Sequence, residues 1–244
     1  YGIQPDMIIA RSELPIDQKR KEKIAIATGV SSENIIAAPD IDSIYDVPIN
    51  FERDGLSQKI LRGFNIKPRQ KDLTAWRKFV SKTKSTKKGV KIAMIGKYFD
   101  TGDFVLSDAY VSVIEAIKIS SYWQNVKPEL VWINAKEYET GQRKISELKD
   151  YDGIVVPGGF GTRGVEGIIS AIKFAREKKI PYLGLCYGMQ LAIVEYSRNV
   201  LRLKDANTTE IDKRTEHPVI AVMEEQKDKI ENKKLGGTMR LGAY

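Results

Sequence analysis

One cysteine and one histidine occur in 244 residues. A lone cysteine cannot close an internal disulfide, which fits a reducing cytosol and a cytoplasmic protein. One cysteine with one histidine also falls short of a nitrogen–sulfur zinc site, so no metal ligands are expected. No apolar run approaches the ~20 residues that a bilayer span needs. No signal-peptide pattern opens the chain, and no membrane partner is expected. The sequence begins at Tyr1 without a Met and closes on "GGTMRLGAY" with neither a helix nor a polar tail. It reads as an internal piece of something longer.

What is present suffices for one large or two ordinary domains with a real core, at 42% hydrophobic and 30% charged residues. The net charge of +8 is uneven. Residues 1–89 carry 17 Lys/Arg against 11 Asp/Glu, whereas 90–244 carry 23 against 21. Four of the lysines fall in "SKTKSTKKG", residues 81–89, which lacks apolar periodicity and reads as a flexible basic linker. A nucleic-acid surface would want a basic face interleaved with aromatics, so no nucleic-acid partner is expected. The boundaries that follow are 1–70 for a first domain, 71–89 for the linker and 90–244 for a second.

Residues 1–50 read as one βαβ unit, with strands at "DMIIARS" and "NIIAAP" around a helix over 17–27. A loop and helix follow over 43–66, then a short helix at 72–80. After the linker, strands "VKIAMIG", "ELVWINA", "DGIVVPGG" and "IPYLGL" alternate with helices over 107–123, 165–178 and 189–197. That alternation predicts an α/β fold, a doubly wound parallel sheet of Rossmann-like, three-layer type. Ligands of such folds gather at the carboxyl ends of the strands.

Two glycine turns fall at those ends. Gly184-Leu185-Cys186-Tyr187-Gly188 has the form G-x-C-x-G between strand and helix. A sharp turn there lifts the side chain clear of the sheet, as in a nucleophile elbow. The dipole of the following helix favours thiolate. The alternative is that Cys186 merely ends a buried strand, as free cysteines often do. The second turn, Gly159-Phe160-Gly161-Thr162-Arg163-Gly164, matches G-x-G-x-x-G. A dinucleotide site would need an acidic residue ~20 positions on, where the cysteine turn stands instead. Taken together, the turns suit acyl transfer: Tyr187 and Gly159 can each aim a backbone N–H at a developing oxyanion, roughly 3 kcal/mol apiece.

The motifs "PGGFGTRGVEG", "PYLGLCYGMQ", "NTTEI" and "GGTMRLG" resemble the glutaminase domain of the CTP synthase family, a class I glutamine amidotransferase. "GIQPDMIIARS" and "DIDSIYDVPI" resemble the end of that family's P-loop-type synthetase domain, so the partial βαβ piece would belong there. The resemblance implies conversion of UTP to CTP with ATP and glutamine-derived ammonia. It implies Mg2+ with the nucleotides, GTP as activator, CTP as feedback inhibitor and a homotetramer. By motif, Cys186 is the nucleophile and Gly159 and Tyr187 are the oxyanion donors. Gly159, Tyr187, Gly188, Met189, Gln190 and Glu210 would contact L-glutamine. Arg163, Gly164 and Glu166 would lie in a GTP-responsive loop. Lys23 with Arg11 would meet UTP or CTP phosphates, and Pro39, Asp40 and Ile41 would touch the adenine of ATP.

Three departures stand out. Pro39 occupies a position that is usually lysine in the family, and Tyr187 one that is commonly leucine. The latter should cost little if only the Tyr187 N–H is used. The family's catalytic base is a His-x-Glu pair, but His217 is followed by Pro218 and reads as a loop residue. The expectation is a chain that holds the nucleophile without its base and is inactive alone. The rivals are a non-catalytic nucleotide-binding module in the first 50 residues and another cysteine hydrolase of the same superfold.

Overall fold

The computed structural model describes residues 2, 4–69, 72–97, 100–101, 104–105, 110–159 and 161–221. Phe160, Ser107 and the "GGTMRLG" stretch therefore lie outside the described residues. Contacts divide the chain into two units, Tyr1–Thr86 and Lys87–Tyr244.

In the first unit, β1 (Ile8–Ser12), α1 (Gln18–Thr28) and β2 (Ile35–Pro39) form the expected βαβ unit. The strands pair in parallel, Ile8 opposite Ile35 and Ser12 opposite Pro39. Asp17 caps α1 by accepting from the Arg20 N–H, and Gly29 ends it at φ +74°. A 3-10 turn at Ile44–Asp46 leads into two helices, α2 (Val47–Arg53) and α3 (Leu56–Gly63), where one had been expected. Gly55, at φ +68°, breaks the helical run between them.

α4 (Thr74–Ser85) corrects the linker expectation, because residues 81–85 are helical. Trp76, Phe79 and Val80 recur at helical spacing, and the last two are buried. Phe79 meets Tyr45 edge-on at 5.2 Å, and Trp76 Nε1 donates to the Tyr45 carbonyl at 2.9 Å. Lys84 pairs with Asp46 at 2.9 Å, so a lysine read as linker charge closes the helix end instead. The basic residues of that last turn also suit the negative end of the helix dipole.

The second unit is built on a parallel sheet of β3 (Gly89–Gly96), β6 (Lys127–Asn134), β7 (Gly153–Val156) and β8 (Tyr182–Gly184), in the order β6-β3-β7-β8. A short antiparallel pair, β4 (Asp100–Thr101) and β5 (Phe104–Val105), follows β3. Helix α5 (Val111–Trp123) packs on one face of the sheet. On the other face lie α6 (Ala135–Glu139), α7 (Val165–Lys178) and α8 (Tyr187–Asn199). This is the doubly wound parallel arrangement that the alternation of strands and helices predicts, with helices on both faces.

Period-two alternation explains the two cores. Ala93, Ile95, Ile154 and Val156 face α7 and α8, where Ile168, Ile172, Leu191 and Val194 meet them. Met94 and Val155 face the opposite way, onto Val113 and Ile117 of α5. Each fully buried aliphatic side chain contributes roughly 1.5–3 kcal/mol. Arg176 of α7 holds the buried Glu195 of α8 through Nε and Nη2, at 3.0 and 2.8 Å. That fork fixes the two helices whose N-termini bear the glycine turns. A last parallel pair, β9 (Asn207–Thr208) and β10 (Pro218–Ile220), flanks α8.

α7 approaches the β6–α6 junction so closely that Gly167 leaves no room for a side chain. A Cβ there would lie 1.9 Å from the Ala135 carbonyl oxygen. Gly167→Ala should destabilise the second unit by about 3 kcal/mol, read as a lower urea midpoint; an unchanged midpoint would contradict this packing.

Candidate active site

Strand order puts the carboxyl ends of β3, β7 and β8 side by side, with the switch of direction at β3. Lys97 follows β3, the Pro157–Gly159 stretch follows β7, and Cys186 follows β8.

Cys186 is the N-cap of α8, at φ +50° and ψ −101°. Such a backbone costs on the order of 1–3 kcal/mol for a residue with a side chain. Its neighbours hold it there. A Cβ on Gly184 would fall 2.6 Å from the Gly188 carbonyl carbon, and one on Gly188 would fall 2.3 Å from the Val156 oxygen. The Leu185 N–H donates to the Val156 carbonyl at 2.9 Å, and Tyr182 Oη–H donates to the Gly188 carbonyl at 2.8 Å. Cys186 itself is exposed. The turn therefore displays the thiol, and the buried strand-end alternative fails. As the first residue of α8, Tyr187 has a backbone N–H that the helix itself cannot pair.

The glycine loop after β7 faces this turn. A Cβ on Gly158 would lie 3.7 Å from the Cys186 Cβ. Gly159 is next in the chain and half-buried. Gly161 takes φ +77°, and Gly164 takes φ +72° just ahead of α7. Glu210, from the segment after β9, accepts from the Gly161 N–H at 2.7 Å. Residues 49 apart in sequence thus share one rim: cysteine turn, glycine loop and an exposed carboxylate.

The other expected residues fall as follows. Gln190 lies in the first turns of α8, its N–H donating to the Cys186 carbonyl at 3.0 Å. Met189 is exposed, whereas Gly188 is buried against Val156. Arg163 is exposed, and Gly164 packs under Ala135. Glu166 takes Arg198 Nη1 at 2.9 Å, and Arg198 Nε donates to the Ala206 carbonyl at 2.7 Å. That arginine ties α7 to the segment that carries Glu210. His217 Nδ1 lies 2.5 Å from Asp205 Oδ1, holding the Asp205 carboxyl below the usual range, and it sits in the loop ahead of β10.

In the first unit, Arg11, Pro39, Asp40 and Ile41 line one cavity of about 410 Å³, together with Asn50 and Phe51. Arg11 Nε reaches Asp40 Oδ1 at 3.4 Å. Lys23 does not join that lining and stands exposed on α1. Its neighbour Lys21 turns inward instead, to Asp54 at 2.8 Å.

Two features escaped the sequence reading. Tyr187 uses its side chain as well as its amide. It is buried, and its Oη–H donates to the Gly161 carbonyl at 2.5 Å. Lys97 is buried beside it and donates to the same carbonyl at 2.5 Å and to Tyr187 Oη at 3.1 Å. Its Nζ also stands 4.2 Å over the Tyr187 ring. A lysine directly after a buried strand was the signal available for it.

The family described as "Glutamine amidotransferase class-I" matches residues 105–241, and "CTP synthase N-terminus" matches residues 1–66. A CTP synthase of Sulfurisphaera tokodaii is 48% identical over 242 residues, covering 99% of this chain and 44% of that protein. One from Caldanaerobacter subterraneus is 49% identical over 244 residues, covering all of this chain and 44% of that protein. The chain thus spans less than half the length of these relatives. Among solved structures, the Trypanosoma brucei CTPS glutaminase domain with bound acivicin superposes at a TM-score of 0.52. It is 36% identical, covering 58% of this chain and 53% of that one.

Burial lowers the Lys97 ammonium from its ordinary 10.5 to about 8, against the attraction of Glu210 and Glu139. Between those values the unfolded chain holds a proton that the folded chain has shed, so stability rises with pH across the window. Lys97→Met removes that rise. From about pH 8 to about pH 10, the urea midpoint of the unsubstituted chain should gain on that of Lys97→Met. A constant difference between the two would contradict a desolvated ammonium.

Proposed function

The chain belongs to the class I glutamine amidotransferase family, with a CTP synthase N-terminal segment ahead of that domain, and from this we propose that it is the ammonia-supplying part of a CTP-forming enzyme. The observation that carries the reading is the exposed thiol at a strained turn, facing a glycine loop tied to Glu210.

In this reading the Cys186 thiolate attacks the side-chain amide carbon of L-glutamine. The carbonyl π pair moves onto oxygen, where the N–H groups of Gly159 and Tyr187 receive it. When the carbonyl re-forms, the C–N bond breaks, ammonia leaves with an added proton, and a glutamyl thioester remains for water to hydrolyse. Glu210 receives the substrate's α-ammonium. Its Oε1 already serves the Gly161 N–H, and Oε2 gives the ammonium a second acceptor. Gln190, Met189 and Gly188 complete the rim. Arg163, Gly164 and Glu166 form the entry to α7, where the family's GTP response would act.

Taking the thiol's proton, handing it to the departing ammonia and then activating water need one group that serves as base, acid and base again. The family's His-x-Glu pair does not occur in these 244 residues, and His217 is engaged by Asp205 on another loop. We therefore assign the nucleophile and the oxyanion donors, and not ammonia release from glutamine, to these residues alone.

The first unit's cavity is assigned to the nucleotides. Pro39, Asp40 and Ile41 offer an adenine-sized wall, and Arg11 offers a phosphate partner. Lys23, exposed on α1, would reach a phosphate only from outside that cavity. Among the described residues no three His, Cys, Asp or Glu side chains are grouped to hold a metal ion. No step is routed through Mg2+. Synthesis of CTP from UTP and ATP, feedback by CTP and tetramer assembly belong to the whole enzyme in this proposal.

A chloroketone analogue of glutamine separates the readings, because its leaving group needs no base. The chain should take up one adduct on Cys186. Glu210→Ala should slow that reaction at least tenfold, leaving iodoacetamide alkylation unchanged, as loss of a charged partner for the ammonium requires. Equal effects on both reagents would point to another cysteine hydrolase. Ammonia release from glutamine well above background would contradict the missing-base assignment.

A further inference from the structure

The peptide unit of Gly161 is gripped from both sides. Its N–H is held by Glu210 at 2.7 Å. Its carbonyl accepts from Lys97 Nζ at 2.5 Å and from Tyr187 Oη at 2.5 Å. The three holding groups come from three elements: the end of β3, the first turn of α8, and the segment after β9. Lys97 and Tyr187 are also bound to each other, by the 3.1 Å hydrogen bond and by the ammonium over the ring. Both are buried, at 7% and 1% exposure, so they pack as fixed supports rather than as mobile surface side chains.

Geometry gives this grip a purpose. Gly161 takes φ +77° and stands two residues beyond Gly159, the proposed oxyanion donor. A loop of glycines has many accessible backbone states, and an oxyanion donor works only within a few tenths of an ångström of one of them. Tyr187 is also the residue whose own N–H is the second proposed donor. Its ring thus couples the two donors: the amide starts α8 beside Cys186, and the hydroxyl holds the loop opposite. Among the described residues, Tyr110 also reaches this loop, its Oη–H donating to the Gly158 carbonyl at 3.3 Å, and the charge of Glu139 acts on Lys97.

We propose that Lys97 and the Tyr187 side chain are positioning residues for glutamine thioester formation, clamping the Gly161 carbonyl so that the glycine loop keeps its donor opposite Cys186. The proposal rests on the glutaminase reading above. Glu210 has a double part in it, holding the far side of the same peptide while it receives the substrate ammonium. Occupancy of the ammonium site and rigidity of the loop are therefore linked through one carboxylate.

Two variants, Lys97→Met and Tyr187→Phe, keep most of the buried volume, and each removes one of the two donors to the Gly161 carbonyl. Amide hydrogen exchange at Gly161 reads the clamp whatever the substrate is. Reaction of Cys186 with the chloroketone analogue of glutamine reads its consequence, and iodoacetamide reads the thiol alone. Both variants should speed Gly161 exchange about tenfold. They should slow analogue labelling about tenfold to a hundredfold, with iodoacetamide alkylation within about twofold of the unsubstituted chain. Unchanged exchange in either variant overturns the clamp. A parallel fall with both reagents also overturns it, because the cysteine turn itself would then have moved. If the unsubstituted chain fails to react with the analogue while iodoacetamide alkylates it, the glutaminase reading falls. The positioning role falls with it, and exchange still reports whether the peptide is held.

Discussion

Cys186 holds a backbone conformation that an L-residue resists, and everything around it is arranged so that it cannot relax. Two glycines permit the approach: Gly184 lets the start of α8 fold back onto the end of β8, and Gly188 lets α8 lie directly on Val156 of β7. Hydrogen bonds from Leu185 and Tyr182 close the turn from either side. The strain is local, while the support comes from the sheet core, where the aliphatic faces of β3, β6 and β7 are buried under α7 and α8. A thiol set on such a mount stays exposed without being loose.

The second unit spends much of its polar bonding on aligning three strand ends. Arg176 and Glu195 lock α7 to α8, and Arg198 locks both to the segment bearing Glu210. Glu139 of α6 accepts from the N–H groups of Glu166 and Gly167, capping the start of α7. Lys97 and Tyr187 then fasten the loop between β7 and α7. The site is less a set of catalytic side chains than a set of backbone groups kept in register. In the proposed reading, in which main-chain donors meet the oxyanion, such fastening keeps those donors in place.

Much of this was legible in the sequence. The strands "VKIAMIG" and "DGIVVPGG", alternating with helical segments, foretold a doubly wound parallel sheet, and G-x-C-x-G foretold the turn. Residues 81–85 carry no apolar periodicity of their own, and they are helical because Phe79 and Val80, earlier in the same helix, are buried. The hydroxyl of Tyr187 finds its acceptor on Gly161, 26 residues away, which the G-x-C-x-G pattern does not encode. Lys97 and Glu139 act through contacts with residues 64 and 27 positions away, which no local pattern announces. Lys23 was singled out over Lys21 by resemblance, yet it is Lys21 that turns inward, to Asp54.

The central claim is that the Cys186 rim recognises glutamine before the sulfur reacts. Protection by the substrate tests it most directly. The rate of adduct formation on Cys186 with a glutamine-derived electrophile is measured in the presence of rising L-glutamine and, separately, D-glutamine. The account predicts saturable, competitive slowing by the L-isomer and little by the D-isomer. An adduct rate indifferent to both would contradict it.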